Sequence, residues 1–191
     1  MPLVAFRMEW SGRSAMHSML KKLSGGDRRS IGRSNEIVAE VLARPGNFQH
    51  VFAGLASDDP VVRMRAADAV EKISARRPEL LQPFKKRLLE VAGSTGQQEV
   101  RWHAALMIPR LKLTAEERAV AVDIFFDYLR DRSSIVKTWA MQALADLACN
   151  DSSLQAKILP LLEELTEIGT PAMRARGRKI LQHLNRRRAK A

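Results

Sequence analysis

The sequence predicts an all-α protein built from one repeated helical unit. Four segments align with one another, at 60–73, 98–111, 134–147 and 171–184, with starts 38, 36 and 37 residues apart. The aligned columns are aliphatic (Val62, Val100, Val136, Met173), then basic (Arg63, Arg101, Lys137, Arg174) and, four positions after the aliphatic residue, small (Ala66, Ala104, Ala140, Gly177). A fixed period of this length is typical of stacked units that cannot bury their apolar faces alone.

The composition also favours helix-on-helix packing. Hydrophobic residues make up 46% of the 191 residues, which suffices for one sizeable core or one repeat array. Aromatic residues make up only 5%, and the apolar columns hold Ala, Leu, Val, Ile and Met. We therefore expect far more helix than the roughly 30–35% of an average globular protein.

The aligned segments are predicted to be the second helices of the units. Asp59-Pro60 and Thr170-Pro171 each place an N-cap residue before a proline at the first helical position, where the missing N–H costs nothing. At about 100° per residue, the apolar side chains of each segment fall within about 100° of arc. In the first unit this stripe consists of Val62, Ala66, Ala69, Val70 and Ile73.

The first helices are less regular. Thr114–Glu117 has the sequence of a capping box and opens one of them. Another begins at Asp151 or Ser152, and a third at Pro78. The remaining first helix is predicted to be split into 35–43 and 48–55, because Pro45-Gly46 interrupts it.

The helix that opens Asp-Asp-Pro-Val-Val-Arg at 58–63 and continues Ala66-Ala67 resembles HEAT repeats. The second unit departs from that pattern, since Gln98-Glu99 replaces the proline and Pro109 lies inside the helix. The resemblance implies a right-handed α-α superhelix, a HEAT-like solenoid of about four helix pairs, whose second helices line the concave side. It implies a non-enzymatic interaction scaffold far more often than an enzyme.

Three regions follow from this reading. Residues 1–34 are an N-terminal extension and a candidate cap, residues 35–185 form the HEAT-like array, and residues 186–191 are a basic C-terminal tail. The net charge of +11 is concentrated at the ends: +5 in residues 1–34 and +8 in residues 171–191, against −2 in residues 35–170. Such a distribution does not describe a uniformly basic nucleic-acid-binding surface.

Cysteine usage and hydropathy bear on the compartment. The lone Cys149 excludes an internal disulfide and fits a reducing environment. No apolar run approaches the ~20 residues that span a bilayer, and the apolar stretch at 3–6 is too short for a signal-peptide core. We expect a cytoplasmic protein with no membrane partner.

The expected recognition surface lies opposite the buried stripe of the second helices. An exposed helical face normally carries Lys, Glu and Gln, whereas this one is apolar enough to suggest contact with a partner protein or peptide. Its predicted members are Met64, Trp102, Leu106, Trp139 and Met141. The alternative is that the N-terminal segment 6–23 covers them, because tryptophan is often largely buried.

The basic column allows two interpretations. Its members either pair with acids in the inter-helix turns of a neighbouring unit, such as Asp131, or contact phosphates. The turns at 94–97 and 168–170 offer no aspartate, so Arg101 and Arg174 are predicted to be most available to a ligand.

Catalytic and cofactor motifs are weak. His17, His50, His103 and His183 belong to different units without metal-ligand spacing, and no Gly-rich phosphate loop occurs, so we expect neither an enzyme nor a cofactor. The alternative function is nucleic-acid binding, on an architecture similar to that of the HEAT-like alkylpurine DNA glycosylases. Trp102 and Trp139 would then stack on bases, and Asp68 is the only acid in the outward columns. The basic residues assigned to this alternative are Arg101, Arg174, Arg178, Lys179, Arg186, Arg187 and Arg188.

Overall fold

Helices account for 81% of the residues described by the structure, a computed structural model that describes residues 18–27 and 29–188. No strand occurs within those two ranges. The prediction of an all-α protein is therefore confirmed. Of the N-terminal segment 6–23, which is the alternative cover for the recognition surface, residues 6–17 lie outside the described residues.

Eleven α-helices follow one another along the described chain. They are α1 Ser18–Leu23, α2 Ser34–Ala43, α3 Phe48–Ala53, α4 Pro60–Arg76, α5 Pro78–Leu81, α6 Lys85–Ser94, α7 Gln98–Met107, α8 Ala115–Tyr128, α9 Ser134–Leu147, α10 Ser152–Ile168 and α11 Pro171–Arg188. Short 3-10 turns at Pro45–Asn47, Gly54–Ala56, Gln82–Phe84 and Ile108–Arg110 continue or connect them.

The N-terminal caps form as the local sequence predicts. The Asp59 side chain accepts a hydrogen bond from the Val61 amide, with Pro60 at the first position of α4. Thr114 and Glu117 make a complete capping box at the start of α8. The Asp151 carboxylate accepts from the Leu154 amide and begins α10. Each cap satisfies amides that the first turn leaves without a helical partner.

Prolines shorten the second unit. Helix α7 ends at Met107, and residues Ile108–Arg110 form a 3-10 turn around Pro109. Proline has no amide hydrogen to donate, and its ring collides with the carbonyl four residues earlier in an α-helix. Pro83 separates α5 from α6 in the same way.

The break predicted at Pro45-Gly46 is present, since α2 ends at Ala43 and α3 begins at Phe48. Residues 34–43 form the independent helix α2, and Arg44 leaves helical geometry with φ −134° and ψ 80°. Helix α2 packs against α4, as α4 packs against α7. Helix α2 therefore packs on α4 in the way that each second helix packs on the next one.

The second helices pack side by side in chain order. Contacts join α4 to α7, α7 to α9 and α9 to α11, while α8 lies on α9 and α10 on α11. The small column is buried throughout: Ala66, Ala104 and Ala140 have no exposed surface, and Gly177 is buried. Small side chains at these positions allow helix backbones to approach closely.

Arg65 holds the segment before α2 onto α4. Its side chain is only 4% exposed. The guanidinium donates to the carbonyls of Leu23, Gly25, Asp27 and Ser30 at 2.7–3.1 Å, and to that of Ser24 at 3.4 Å. Left-handed φ values at three glycines turn this loop around it. A side chain at one of them, Gly32, would place its Cβ 2.7 Å from the guanidinium carbon.

The last helix runs further than the predicted array. Helix α11 continues to Arg188, so residues 186–188 are helical and do not begin a separate tail. None of the described helices is both long enough and apolar enough to cross a bilayer.

Candidate functional site

The prediction that five residues form an exposed recognition surface is wrong for two of them. Met141 has no exposed surface and Met64 is only 7% exposed, so neither can reach a partner directly. The reason is the side-by-side packing of the second helices, which buries positions that lie outside the apolar stripe of a single helix. Trp102, Leu106 and Trp139 remain half-buried. We call these three residues the tryptophan surface.

Trp102 and Leu106 form one part of the tryptophan surface. They are four residues apart on α7 and therefore share one face of the helix. The Trp102 indole stacks on the His103 imidazole, with ring centroids 3.4 Å apart and planes inclined by 28°. Trp102 also packs against the core, so the fold itself constrains its orientation.

Trp139 forms the other part and is held by α11. The Arg176 guanidinium carbon lies 4.5 Å from the centre of the indole ring, in a cation–π contact. Arg176 also donates to the Gln142 side chain at 3.3 Å, and Gln142 donates to Asp146 at 2.8 Å. These contacts fix the indole between two helices.

One column of the alignment supplies contacts between two pairs of successive second helices, α4 with α7 and α9 with α11. It holds Arg65, His103, Trp139 and Arg176, each three residues after the aliphatic column. His103 reaches back to Asp68 on α4, and Arg176 reaches back to Trp139 and Gln142 on α9. These contacts were not predicted from the sequence, because the residue types in this column differ from one unit to the next. Their signal is the spacing of 34–35 residues between Asp68 and His103 and between Gln142 and Arg176.

The His103 contact belongs to a buried polar cluster centred on Asp68. Asp68 Oδ2 accepts from Ser34 Oγ at 2.5 Å and from Lys72 Nζ at 2.8 Å, and Lys72 also donates to Asn35 Oδ1. His103 Nε2 lies 3.9 Å from Asp68 Oδ1, which exceeds a hydrogen-bond length, while Nδ1 lies 2.5 Å from the carbonyl of Glu99. The cluster joins α2, α4 and α7.

The surroundings of Asp68 stabilise its charged form. Burial by itself raises the pKa of this carboxyl, but the imidazole of His103 and the hydrogen bonds from Lys72 and Ser34 outweigh burial and lower the pKa to about 2. A carboxylate with so low a pKa is a weak base. The arrangement suits a structural anion better than a proton acceptor.

Replacing Asp68 by asparagine should therefore change how stability depends on pH. The folded pKa lies below the ordinary value of 3.8, so the stabilisation is present above about pH 4 and is lost as the pH falls through about 2. The shift corresponds to about 2 kcal/mol. In urea unfolding at pH 6, the free energy of unfolding of wild type should exceed that of Asp68→Asn by about 2 kcal/mol. This difference should disappear between pH 4 and pH 2. Asp123→Asn, at an exposed position, is the control and should show no such closing gap. A gap that stays constant down to pH 2 would contradict the assignment.

Two of the four members of the basic column, Arg101 and Arg63, are engaged by neighbouring turns. Arg101 forms an ion pair with Asp131 at 2.8 Å and donates to the Thr95 carbonyl, and its guanidinium lies over the ring of Tyr128. Arg63 donates to Gln97 at 2.8 Å and to the Ser57 carbonyl. The prediction that Arg101 is available to a ligand is therefore wrong, because the acid comes from the following turn.

The remaining predicted basic residues lie on α11. Arg174, Arg178, Lys179 and Arg186 are all exposed. Helix α11 includes Arg187 and Arg188, whose side chains lie outside the described residues. The structure therefore separates Arg101, on α7, from the basic residues of the last helix.

Two open clefts are lined by residues other than those of the tryptophan surface. They flank the turn before α7 and are lined by Arg63 and Gln97 in one case, and by Gln97, Arg101 and Asp131 in the other. The bonds between units already cross these clefts. Within the described ranges, no three His, Cys, Asp or Glu side chains are grouped in a way that could hold a metal ion.

Comparison with known proteins does not identify a family for this chain. No protein-family model matches the chain, and no curated protein or solved structure is significantly similar to it. The HEAT resemblance therefore rests on the repeated columns of the sequence.

Proposed function

We propose that this protein is a cytoplasmic, non-enzymatic scaffold that binds a partner protein or peptide. The proposed architecture is a right-handed HEAT-like solenoid of about four helix pairs, with the tryptophan surface on its concave side. The regular columns and the consecutive packing of α4, α7, α9 and α11 support this architecture. The lone cysteine supports a reducing compartment.

The observation that carries the proposal is the pair of half-buried tryptophans on neighbouring helices. Trp102 and Trp139 both pack against the core and keep part of their surface open. Tryptophan is enriched among residues that dominate binding energy, since it offers a large apolar area with few rotatable bonds. Because stacking on His103 and Arg176 already fixes both rings, little side-chain entropy is lost when a partner docks.

The chemistry beside this surface favours binding over catalysis. A general base works best with a pKa near the operating pH, whereas Asp68 has a pKa of about 2. Its oxygens already accept from Ser34 and Lys72, and His103 faces the same carboxylate. Freeing Asp68 for catalysis would break contacts that join three helices.

Peptide selection tests the proposal directly. A displayed library of random peptides should yield peptides that bind the full chain. Trp102→Ala, Leu106→Ala and Trp139→Ala should each lower the affinity for the selected peptides about 30-fold. That factor corresponds to about 2 kcal/mol, the lower limit of a binding hot spot. Fluorescence anisotropy with labelled peptides measures the effect.

The control variants remove apolar groups elsewhere. Ile168 and Val120 are 70% and 49% exposed, so Ile168→Ala and Val120→Ala should leave peptide affinity unchanged. Thermal unfolding of every variant separates lost affinity from lost fold, since Trp102 and Trp139 also contact the core. Selected peptides that depend on Ile168 or Val120 and ignore all three residues of the tryptophan surface would overturn the proposal.

A further inference from the structure

Helix α11 has a charge composition unlike that of the preceding second helices. Its 18 residues include seven arginines or lysines and no aspartate or glutamate. Helices α4, α7 and α9 each contain at least one acid. The positive charge of α11 is therefore not balanced along its own length.

Four of these cations project from one face, which we call the α11 basic face. It consists of Arg174, Arg178, Lys179 and Arg186. At 100° per residue these positions span about 140° of arc. The apolar residues Met173, Ile180 and Leu184 are buried and lie on the opposite side. All four cations are exposed, and within the described part of the chain none has a hydrogen-bond or ion-pair partner.

This arrangement is unfavourable for the helix alone. Arg174 and Arg178 are four residues apart, a spacing at which like charges repel by a few tenths of a kcal/mol. Arg174 also lies in the first turn, where the helix dipole disfavours a cation. Arg176 differs because it is half-buried and engaged by Trp139 and Gln142. A bound polyanion would turn the repulsion into attraction.

The shape of the helix distinguishes among polyanions. A helix that inserts into a membrane surface needs a free apolar face, but the apolar face of α11 is buried in the protein. An acidic peptide normally adds apolar anchors, whereas the positions between the cations are Ala175, Gln182 and Asn185, which offer no large apolar side chain. Nucleic-acid binding needs neither a free apolar face nor apolar anchors, because neutralisation of phosphates by cationic side chains supplies most of the affinity. Three of the four cations are arginine, whose planar guanidinium matches a phosphate in bidentate geometry.

We propose that the α11 basic face binds the sugar–phosphate backbone of duplex DNA. The helix rises about 18 Å from Arg174 to Arg186, which corresponds to roughly five base pairs of B-form DNA. This surface is distinct from the tryptophan surface, so the proposal goes beyond the scaffold function and does not depend on it.

The test compares two variants of the full chain with equal net charge. The first carries Arg174→Gln, Arg178→Gln, Lys179→Gln and Arg186→Gln. The matched control carries Arg44→Gln, Arg76→Gln, Lys112→Gln and Arg132→Gln, at four exposed positions on other elements. Fluorescence anisotropy with a labelled 20-base-pair duplex is recorded from low to moderate salt.

The expected result is a change in the salt dependence of binding. Each phosphate contact contributes about 0.9 to the slope of log affinity against log salt, so loss of the α11 basic face should reduce the slope by about 3 to 4. Affinity at low salt should fall at least tenfold. The control should keep the wild-type slope within about one unit. Glutamine is a good helix former, so the melting temperature should not fall.

Four outcomes would overturn the proposal. One is undetectable duplex binding by wild type at low salt, and another is an equal loss of slope in both variants. The third and fourth are α11-dependent binding of polyglutamate, or of vesicles containing phosphatidylserine, as tight as that of the duplex. Those two results would assign the face to an acidic protein or to a membrane. None of these measurements uses the tryptophan surface, so failure here leaves the scaffold proposal intact.

Discussion

Replacing Arg65 by methionine should lower the free energy of unfolding by about 3 to 5 kcal/mol, as expected when a buried group that makes several hydrogen bonds is removed. The Arg65 guanidinium donates to five backbone carbonyls of residues 23–30. Methionine keeps much of the aliphatic volume but none of the donors. The carbonyls of Leu23 and Gly25, which lie closest to the guanidinium, would then lose their Arg65 donor.

Urea unfolding and limited proteolysis together measure this effect. For a chain of this size the loss corresponds to a melting temperature lower by roughly 10–15 °C. If the segment at 18–33 detaches before the rest unfolds, cleavage within it should accelerate at least tenfold. Arg76→Met, at the exposed end of the same helix, is the matched control and should change stability by less than about 0.5 kcal/mol. An Arg65→Met protein with unchanged stability and unchanged proteolysis would contradict the anchoring role.

The role of Arg65 illustrates what the repeated pattern does not contain. The alignment places Arg65 on the flank of the apolar stripe, where a solvated cation is the ordinary expectation. Its partners are backbone carbonyl oxygens. Every residue has one, so the sequence does not show which of them will bind Arg65. The nearest signal is Gly25-Gly26 with Gly32, since three glycines in one short loop indicate left-handed backbone. That signal predicts a turn and does not identify what the turn encloses.

The helices themselves followed from local chemistry. The positions of Asp59, Thr114 and Asp151 gave the starts of α4, α8 and α10, because a cap depends only on neighbouring residues. The small column was predicted to be buried for the same kind of reason, since helical periodicity places it mid-stripe. Helix α2 was predicted as the first part of a split helix, but its packing against α4 was not predicted, because that packing depends on tertiary contacts.

The recognition surface was predicted only in part because burial depends on the distance between helices. Periodicity within one helix places Met64 and Met141 opposite the stripe, but neighbouring helices approach closely enough to bury them. Trp102, Leu106 and Trp139 keep open surface and carry the scaffold proposal. The availability of Arg101 was wrong for a related reason. Its own turn lacks an acid, yet Asp131 of the next turn lies within 2.8 Å.

Replacing Gly177 by valine should destabilise the protein by about 2 to 3 kcal/mol, chiefly by separating α10 from α11. A Cβ at this position would lie 2.9 Å from Thr166 Cβ and 3.1 Å from Thr166 Cγ2, and closer still to Thr166 Oγ1. The hydroxyl cannot simply rotate away, because it donates to the Leu162 carbonyl at 2.5 Å. Valine gains a few tenths of a kcal/mol in helix propensity over glycine, which is too little to offset the overlap.

A double-mutant cycle distinguishes this overlap from a general cost of valine in the helix. Ala175→Val, two residues away at an exposed position of α11, should cost less than about 1 kcal/mol. Combining Gly177→Val with Thr166→Ala removes two of the three atoms that the new Cβ meets, and should recover at least about 1 kcal/mol relative to the sum of the single changes. Urea unfolding of the four proteins provides the comparison. Additive effects at 166 and 177 would mean that the last two helices do not meet at this pair, and the close approach at the end of the small column would be wrong.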